Sequence, residues 1–336
     1  MAYNFCVKEF ANGTVQLTYY DYPILDKFDK ESAKFKKGFY EDCDLGFLDD
    51  DEFTPWGDSL EDVSCLHLGA LRAQEEETVE LTEEEIQKRK DRSLKSSLNR
   101  SIHKIYDIGR NNIWEWFFTF TLNENAVTDR TDYIECSSKV RKWFNNIRRI
   151  CPDIKYLIVP ERHPSSGAWH FHALVSDADG LEFKVAKNNQ EFLKDENGNI
   201  INNKKGQPKR NKYYGQDLRT SYPNGNYIYN IVNYNEDRYG FSTATKITDT
   251  RKAVSYIVKY LTKELGECTF GKNRYFISSN LTLPHCHFYL QEKKSLGELI
   301  HMIEESYGIK VCQDYIKSVV VNQSNYKNTI NYVEFE

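Results

Sequence analysis

The stretch GAWHFHALVS, residues 167–176, sets two histidines on an apolar run with one phenylalanine between them. In an extended chain, successive side chains alternate between faces. Ala168, His170, His172 and Leu174 then share one face, and Trp169, Phe171, Ala173 and Val175 share the other. The second face reads as core. The first places two imidazoles side by side, which a metal can use and a hydrophobic core cannot.

The neighbouring segments give this strand its context. IKYLIVPE, 154–161, reads as a strand ending near Pro160, and a Pro-Ser-Ser-Gly turn joins it to the histidine strand. Glu161, nine positions before His170, would return beside the histidines if the two strands run antiparallel. Two neutral imidazoles and one carboxylate leave open positions on a divalent ion, and the carboxylate admits hard metals such as Mg²⁺ or Mn²⁺. His163 is read as a turn residue. Upstream, WEWFFTFTL (114–122) is a strand rich in aromatics and threonine. Tyr133, Val140, Trp143, Phe144, Ile147 and Ile150 keep helical spacing. Strand, helix, strand, turn, strand is an α+β order and not a repeating βαβ unit.

Further along, VSYIVKYLTKEL (254–265) is read as one helix. Val254, Ile257, Val258, Leu261 and Leu265 form its apolar stripe, with Tyr256, Lys259, Tyr260 and Lys263 opposite. The core side is already occupied, so the tyrosines are expected away from it. A phenol that attacks a phosphate must lose its proton, and ammonium groups nearby favour that loss. The i, i+4 spacing predicts about 5–6 Å between the Cβ atoms of the two tyrosines.

The succession of FFTFTLN, Glu161 with HFH, and YIVKYLTK resembles the three motifs of HUH endonucleases, the rolling-circle replication initiators. The doubled tyrosine with lysines is most similar to the gene A-type two-tyrosine initiators of small single-stranded-DNA phages and related plasmids. The resemblance runs from about residue 90 to 282, through the basic stretch GKNRYFISSNL (271–281), and leaves out the N-terminal segment. It implies a central antiparallel sheet of about five strands with helices on one face, of the RRM or ferredoxin-like kind. It also implies that His170, His172 and Glu161 hold a divalent metal, Mg²⁺ or Mn²⁺. Tyr256 or Tyr260 would attack the scissile phosphate, leaving a 5′-phosphotyrosine and a free 3′-OH. Lys259 would stabilise charge, with Lys263 the weaker candidate. The implied partners are single-stranded DNA at an origin, in hairpin form or not, and a host polymerase. A relaxase or single-strand transposase of the same fold, and a non-catalytic DNA-binding regulator, are the other readings.

Composition agrees with a globular protein. The chain has 336 residues, enough for one large domain or two ordinary ones, and is 28% charged. It has no apolar run of 18 residues, and its start, MAYNFCVKEF, lacks the basic and apolar parts of a secretory signal. Eight cysteines without a CxxC pair predict reduced thiols, and with them a place in the host bacterial cytoplasm and no membrane partner. No P-loop lysine motif is present, so unwinding is expected to fall to a host helicase.

Charge is uneven. Residues 1–83 hold 20 acidic and 7 basic residues within a chain whose net charge is −5, leaving the remainder basic. The segment 1–83 is expected to be an acidic region of unknown role, dispensable for cleavage. Residues 84–290 are expected to form the endonuclease domain, and 291–336 a helical and strand extension. A capping box at Thr82 and Glu85 marks a helix start. Residues 187–226, rich in Asn, Lys and Gly, form an insertion in which Lys204, Lys205, Lys209, Arg210, Lys212, Tyr213 and Tyr214 mix bases with aromatics, a composition suited to a phosphate backbone and stacked bases. A second HxH, His285 and His287 around Cys286, has no further ligands near it in sequence and is read as structural.

Overall fold

A computed structural model of the chain describes residues 2–25, 82–195, 199–220, 225–269, 271–290, 294–323 and 326–336. In chain order the elements are β1 (Ala2–Glu9), β2 (Val15–Leu25), α1 (Glu83–Asn111), β3 (Trp116–Leu122), α2 (Tyr133–Ile147), β4 (Tyr156–Arg162), β5 (Trp169–Val175) and β6 (Phe183–Val185). Then come β7 (Ile228–Ile231), α3 (Glu236–Tyr239), β8 (Gly240–Lys246), α4 (Thr250–Val258), α5 (Lys263–Cys268), β9 (Phe276–Ile277), β10 (His285–Tyr289), α6 (Leu296–Tyr307), β11 (Val311–Gln323) and β12 (Tyr326–Phe335). The class is α+β with antiparallel sheets. No helix among the described residues is long and apolar enough to cross a membrane.

The chain divides into two compact units. The one that carries the histidine strand comprises Ile113–Tyr260 and Lys272–Leu281. Its sheet runs β6-β7-β8-β3-β5-β4-β9, with every pairing antiparallel. That is seven strands where about five were expected, because short edge strands of two to four residues extend both sides. Period-two alternation sorts β3 cleanly: Trp116, Phe118, Phe120 and Leu122 are buried, and the residues between them only partly so. Phe120 packs on Trp143 and Phe144 of α2, with ring centroids 5.2 and 5.7 Å apart. The Trp143–Phe144–Ile147 stripe is thus the lid of the core on that face. Pro160 lies inside β4, which runs to Arg162 and does not end at the proline. There β4 pairs with β5 alone, since β9 reaches only Leu157 and Ile158, and a missing N–H is tolerated on such an open edge. Gly240 begins β8 at φ 109, and a Cβ there would stand 2.3 Å from the Thr121 carbonyl oxygen, so only glycine fits.

The other unit comprises Met1–Asn112, Leu261–Gly271 and Thr282–Glu336, and its five strands run β10-β1-β2-β12-β11. On one face Phe5, Val7, Val15, Leu17 and Tyr19 pack with Leu299 and Ile303 of α6 and with Val333 and Phe335. On the other, Lys8 pairs with Asp107 of α1 at 2.9 Å, and Arg110 pairs with Glu334 at 2.8 Å. The capping box of Thr82 and Glu85 is formed, with both reciprocal hydrogen bonds present.

These boundaries differ from those expected. The helix Glu83–Asn111 and strand His285–Tyr289, placed by sequence within an endonuclease domain of 84–290, cluster with the terminal segments. The segment 1–83 is not dispensable, because its first 25 residues supply β1 and the central strand β2. Averaging charge over the segment hid two strands whose partners lie about 300 positions away; residues 26–81 of it lie outside the described residues. Leu17 is fully buried. Leu17→Ala should cost about 2–5 kcal/mol in a denaturant titration, as large-to-small core changes do. A change below about 1 kcal/mol would mean β2 is not a core strand of a folded unit.

Candidate active site

The two histidines and Glu161 are brought together by strand register alone. β5 lies between β3 and β4, with His170 opposite Glu161 on one side and Thr121 on the other; His172 stands opposite Val159 and Thr119. All point to the face opposite α2, because they alternate with the buried aromatics. The Glu161 carboxylate reaches diagonally to His172, and the His172 Nε2–H donates to its Oε2 at 2.7 Å. With Nε2 as the donor, Nδ1 is the acceptor, and the Thr119 hydroxyl donates to it at 3.1 Å. The hydroxyl of Thr121 lies 2.9 Å from His170 Nδ1 in the same way. His170 Nε2 has no protein partner among the described residues.

Sequence reasoning overlooked these threonines as site residues. Their signal was present: T-x-T and H-x-H have the same period of two, so adjacent strands in register must pair them one to one. A hydroxyl on Nδ1 fixes each ring's orientation and leaves Nε2 facing the open side, as outer-shell partners of metal-binding histidines do.

Electrostatics favour the ligand forms. The hydrogen bond from His172 holds the Glu161 carboxyl below its usual range, against the opposing effect of burial. Burial pushes the His170 imidazole down, and the neighbouring Glu161 charge only partly offsets this. A carboxylate and a neutral imidazole are what a cation requires. Among the described residues, however, no three His, Cys, Asp or Glu side chains stand in a ready metal-ligating arrangement. The direct bond between Glu161 and His172 takes up the atoms concerned. The donor set fits a divalent ion in chemistry, and that bond would have to open to receive one. His163 stays in the turn, its Nδ1 3.1 Å from the Ser165 hydroxyl and its ring centroid 5.5 Å from that of His170.

The tyrosine segment departs from the single helix expected. The helix α4 ends at Val258, Lys259 is its C-cap, and Thr262 begins α5 by accepting a hydrogen bond from the Leu265 N–H. Thr262 is extended at φ −83 and ψ 166, so the threonine cap outcompetes continuation of the apolar stripe. Val254, Ile257, Val258, Leu261 and Leu265 are all buried even so.

Tyr260 is therefore not turned away from the sheet. Its ring stacks on His172, with centroids 4.1 Å apart and planes 11° from parallel. Tyr256 is 48% exposed, and its ring stands edge-on to Tyr260 at 5.4 Å and to Phe117 at 5.5 Å. The two phenols thus meet beside the histidines despite the break in the helix. Burial, and then hydrogen bonding with Tyr256, push the Tyr260 phenol up, so it is protonated at rest. Lys259 is exposed at the helix end, and the Lys263 side chain lies outside the described residues. The second HxH forms no cluster with other ligand types among the described residues: His287 pairs with Glu9 across the β1–β10 ladder at 3.3 Å.

What the arrangement offers is a carboxylate and two imidazoles on rigid strands, a phenol stacked on one of them, and a second phenol at its edge. Residues 115–265 match the family of replication-associated proteins of the ORF2 and gene-2-protein type, and this span contains every one of those side chains. The match supports a rolling-circle replication initiator. No curated protein and no solved structure matches the chain.

Proposed function

We propose that the chain nicks and rejoins single-stranded DNA at a replication origin by attack of a tyrosine on the scissile phosphate. The observation that carries this reading is the stack of Tyr260 on His172, while His172 is bonded to Glu161. Three separate segments converge there on a nucleophile and a metal-type donor set. The family match over the same span supports an origin as the place of action.

His170, His172 and Glu161 would hold a divalent cation, Mg²⁺ or Mn²⁺. When bound, that cation supplies Lewis-acid polarisation of a phosphate oxygen. The protein does the rest. Thr119 and Thr121 hold the imidazoles in one orientation, and β3, β4 and β5 fix their separation. Tyr260, or Tyr256 beside it, forms the new bond to phosphorus from its phenolic oxygen as the bond to the 3′ oxygen breaks. The phenol gives up its proton and the departing 3′ oxygen takes one, so the products are a 5′-phosphotyrosine and a 3′-OH. Attack of a 3′-OH on that linkage reverses the step and closes the strand. Lys259, exposed one residue before Tyr260, is placed to offset charge on the DNA. A host helicase and polymerase, in the host cytoplasm, would extend from the 3′-OH.

The test is incubation with single-stranded oligonucleotides tiling the replicon that encodes the chain, with Mn²⁺ and with chelator. A covalent protein–DNA adduct from a discrete sequence, lost in chelator, is expected. DNA binding without an adduct under any divalent metal would instead identify a non-catalytic regulator.

The threonines give a second prediction. Thr119→Val and Thr121→Val keep the shape of the side chain and remove the hydroxyl from Nδ1. Each should weaken Mn²⁺ binding or cleavage by roughly 10- to 100-fold, the scale on which outer-shell partners act. Titration calorimetry with Mn²⁺ reads the effect directly, and unchanged affinity in both variants would show that the rings need no such support.

A further inference from the structure

Between β6 and β7 the chain leaves the sheet edge and returns about 40 residues later, as residues 187–226. This segment is held by its own backbone. The Leu193 N–H donates to the Lys209 carbonyl, Lys209 donates to Ile201, and Ile201 donates to Leu193, at 2.9, 2.9 and 2.8 Å. Three passes of chain are thereby tied in a closed ring. Below it Asn188 and Gln216 are joined by a further backbone bond at 2.8 Å, and Lys187 bridges to Asp217.

The arm has almost no core of its own. From Ile200 to Arg210 every residue is exposed. Between residues 199 and 220 the sequence has six basic residues and one acidic one. Arg210 reaches Glu191 at 3.5 Å, whereas Lys204, Lys205 and Lys209 have no acidic partner among the described residues. Like charges held close together on a tied scaffold raise its energy, so the arrangement is a cost to the fold alone.

At the base of the same arm two aromatics are presented outward. The Asn211 side chain accepts from the Tyr213 N–H at 3.0 Å, the Tyr214 N–H donates to the Asn211 carbonyl at 3.1 Å, and Gly215 closes the turn at φ 76. On this turn Tyr213 and Tyr214 are 53% and 54% exposed, and Lys212 lies 4.8 Å over the Tyr213 ring. Exposed rings set among cations are what a single strand uses, with bases on the rings and phosphates on the ammonium groups.

The arm's root is near the candidate site within the same unit. Ile228 lies in register with Thr245 and Phe117, two residues along from the Thr119–His172 row. From β7 to β5 is three strand spacings, about 14 Å. A few nucleotides of extended strand cover that distance.

We infer that the arm 187–226 is a second DNA-binding element, which grips single-stranded DNA flanking the cleaved phosphate through Lys204, Lys205, Lys209, Arg210, Tyr213 and Tyr214. This rests on the reading of the site as a DNA-nicking centre. The arm sets affinity and takes no part in bond making.

The test is the binding of the full chain to a fluorescent thymidine homopolymer, followed by anisotropy over a range of salt concentrations. Replacing Lys204, Lys205, Lys209 and Arg210 by glutamine should reduce the slope of log affinity against log salt by roughly 2 to 3, at about 0.7 for each cation that no longer meets a single-strand phosphate. Tyr213→Ala with Tyr214→Ala should weaken binding by about tenfold or more and leave that slope in place, as removal of stacking does. All six side chains are solvent-facing, so both variants should fold, and circular dichroism checks this. Nicking at saturating DNA should proceed at the parent rate. Unchanged affinity and slope in both variants would overturn the proposal, as would losses confined to duplex DNA or to RNA. Failure of the arm is distinct from failure of the nicking reading: in the first the parent chain still forms adducts, and in the second it forms none while the arm's salt response remains measurable.

Discussion

His170→Ala combined with His172→Ala should lower DNA cleavage by roughly a thousandfold or more, the scale set by losing several kcal/mol of charge stabilisation at phosphorus. The fold should survive. His170 is only partly buried, and β5 keeps Trp169, Phe171 and Ala173 in the core. Single substitutions should act in the same direction with smaller effect. Loss of His172 also frees Glu161, whose carboxylate accepts its hydrogen bond, and removes the surface on which Tyr260 stacks. His172→Ala is therefore expected to be the worse of the two. Cleavage by the double variant at the parent rate in chelator would eliminate a metal from the account.

The tyrosines carry the other large effect. Tyr256→Phe with Tyr260→Phe should abolish adduct formation, because a phenyl ring preserves the packing and removes the attacking oxygen. Each single variant should still nick but fail the cycle of cutting and rejoining. In such a cycle one tyrosine stays joined to the first 5′ end while its neighbour cuts again, and the 5.4 Å between the rings lets one phosphate site serve both. Closed circular product, assayed on a substrate with two origin copies, reads the cycle separately from the first nick. If one single variant lost every adduct and the other produced circles normally, the two-tyrosine mechanism would fall, leaving one nucleophile.

Much of this site could be read along the chain. Alternation is a strict constraint, so a strand with Phe171 in the core must show His170 and His172 on the other side. The short turn at 163–167 leaves β4 and β5 little choice of register, which places Glu161 beside them. What could not be read was pairing between distant strands. FTFT showed its period, yet only the β3–β5 register reveals which hydroxyl meets which ring. The same limit hid the second unit, where β1 and β2 find β10 and β12 across most of the chain.

The tyrosine segment misled for a different reason. Its apolar stripe continues through Leu265, and a stripe does not show where hydrogen bonding stops. A threonine cap at 262 and a stack on His172 decided that locally. The insertion was legible in composition alone: its lysines and tyrosines were visible, and the backbone ring that displays them was not.

The central claim is that a tyrosine beside His172 becomes joined to DNA. The most direct measurement is to trap the product of cleavage, digest it and locate the nucleotide-bearing peptide by mass spectrometry. The account predicts a 5′-phosphotyrosine within residues 254–265, on Tyr260 or Tyr256. An adduct on a serine or on a tyrosine elsewhere in the chain, or cleavage with no covalent intermediate, would contradict it.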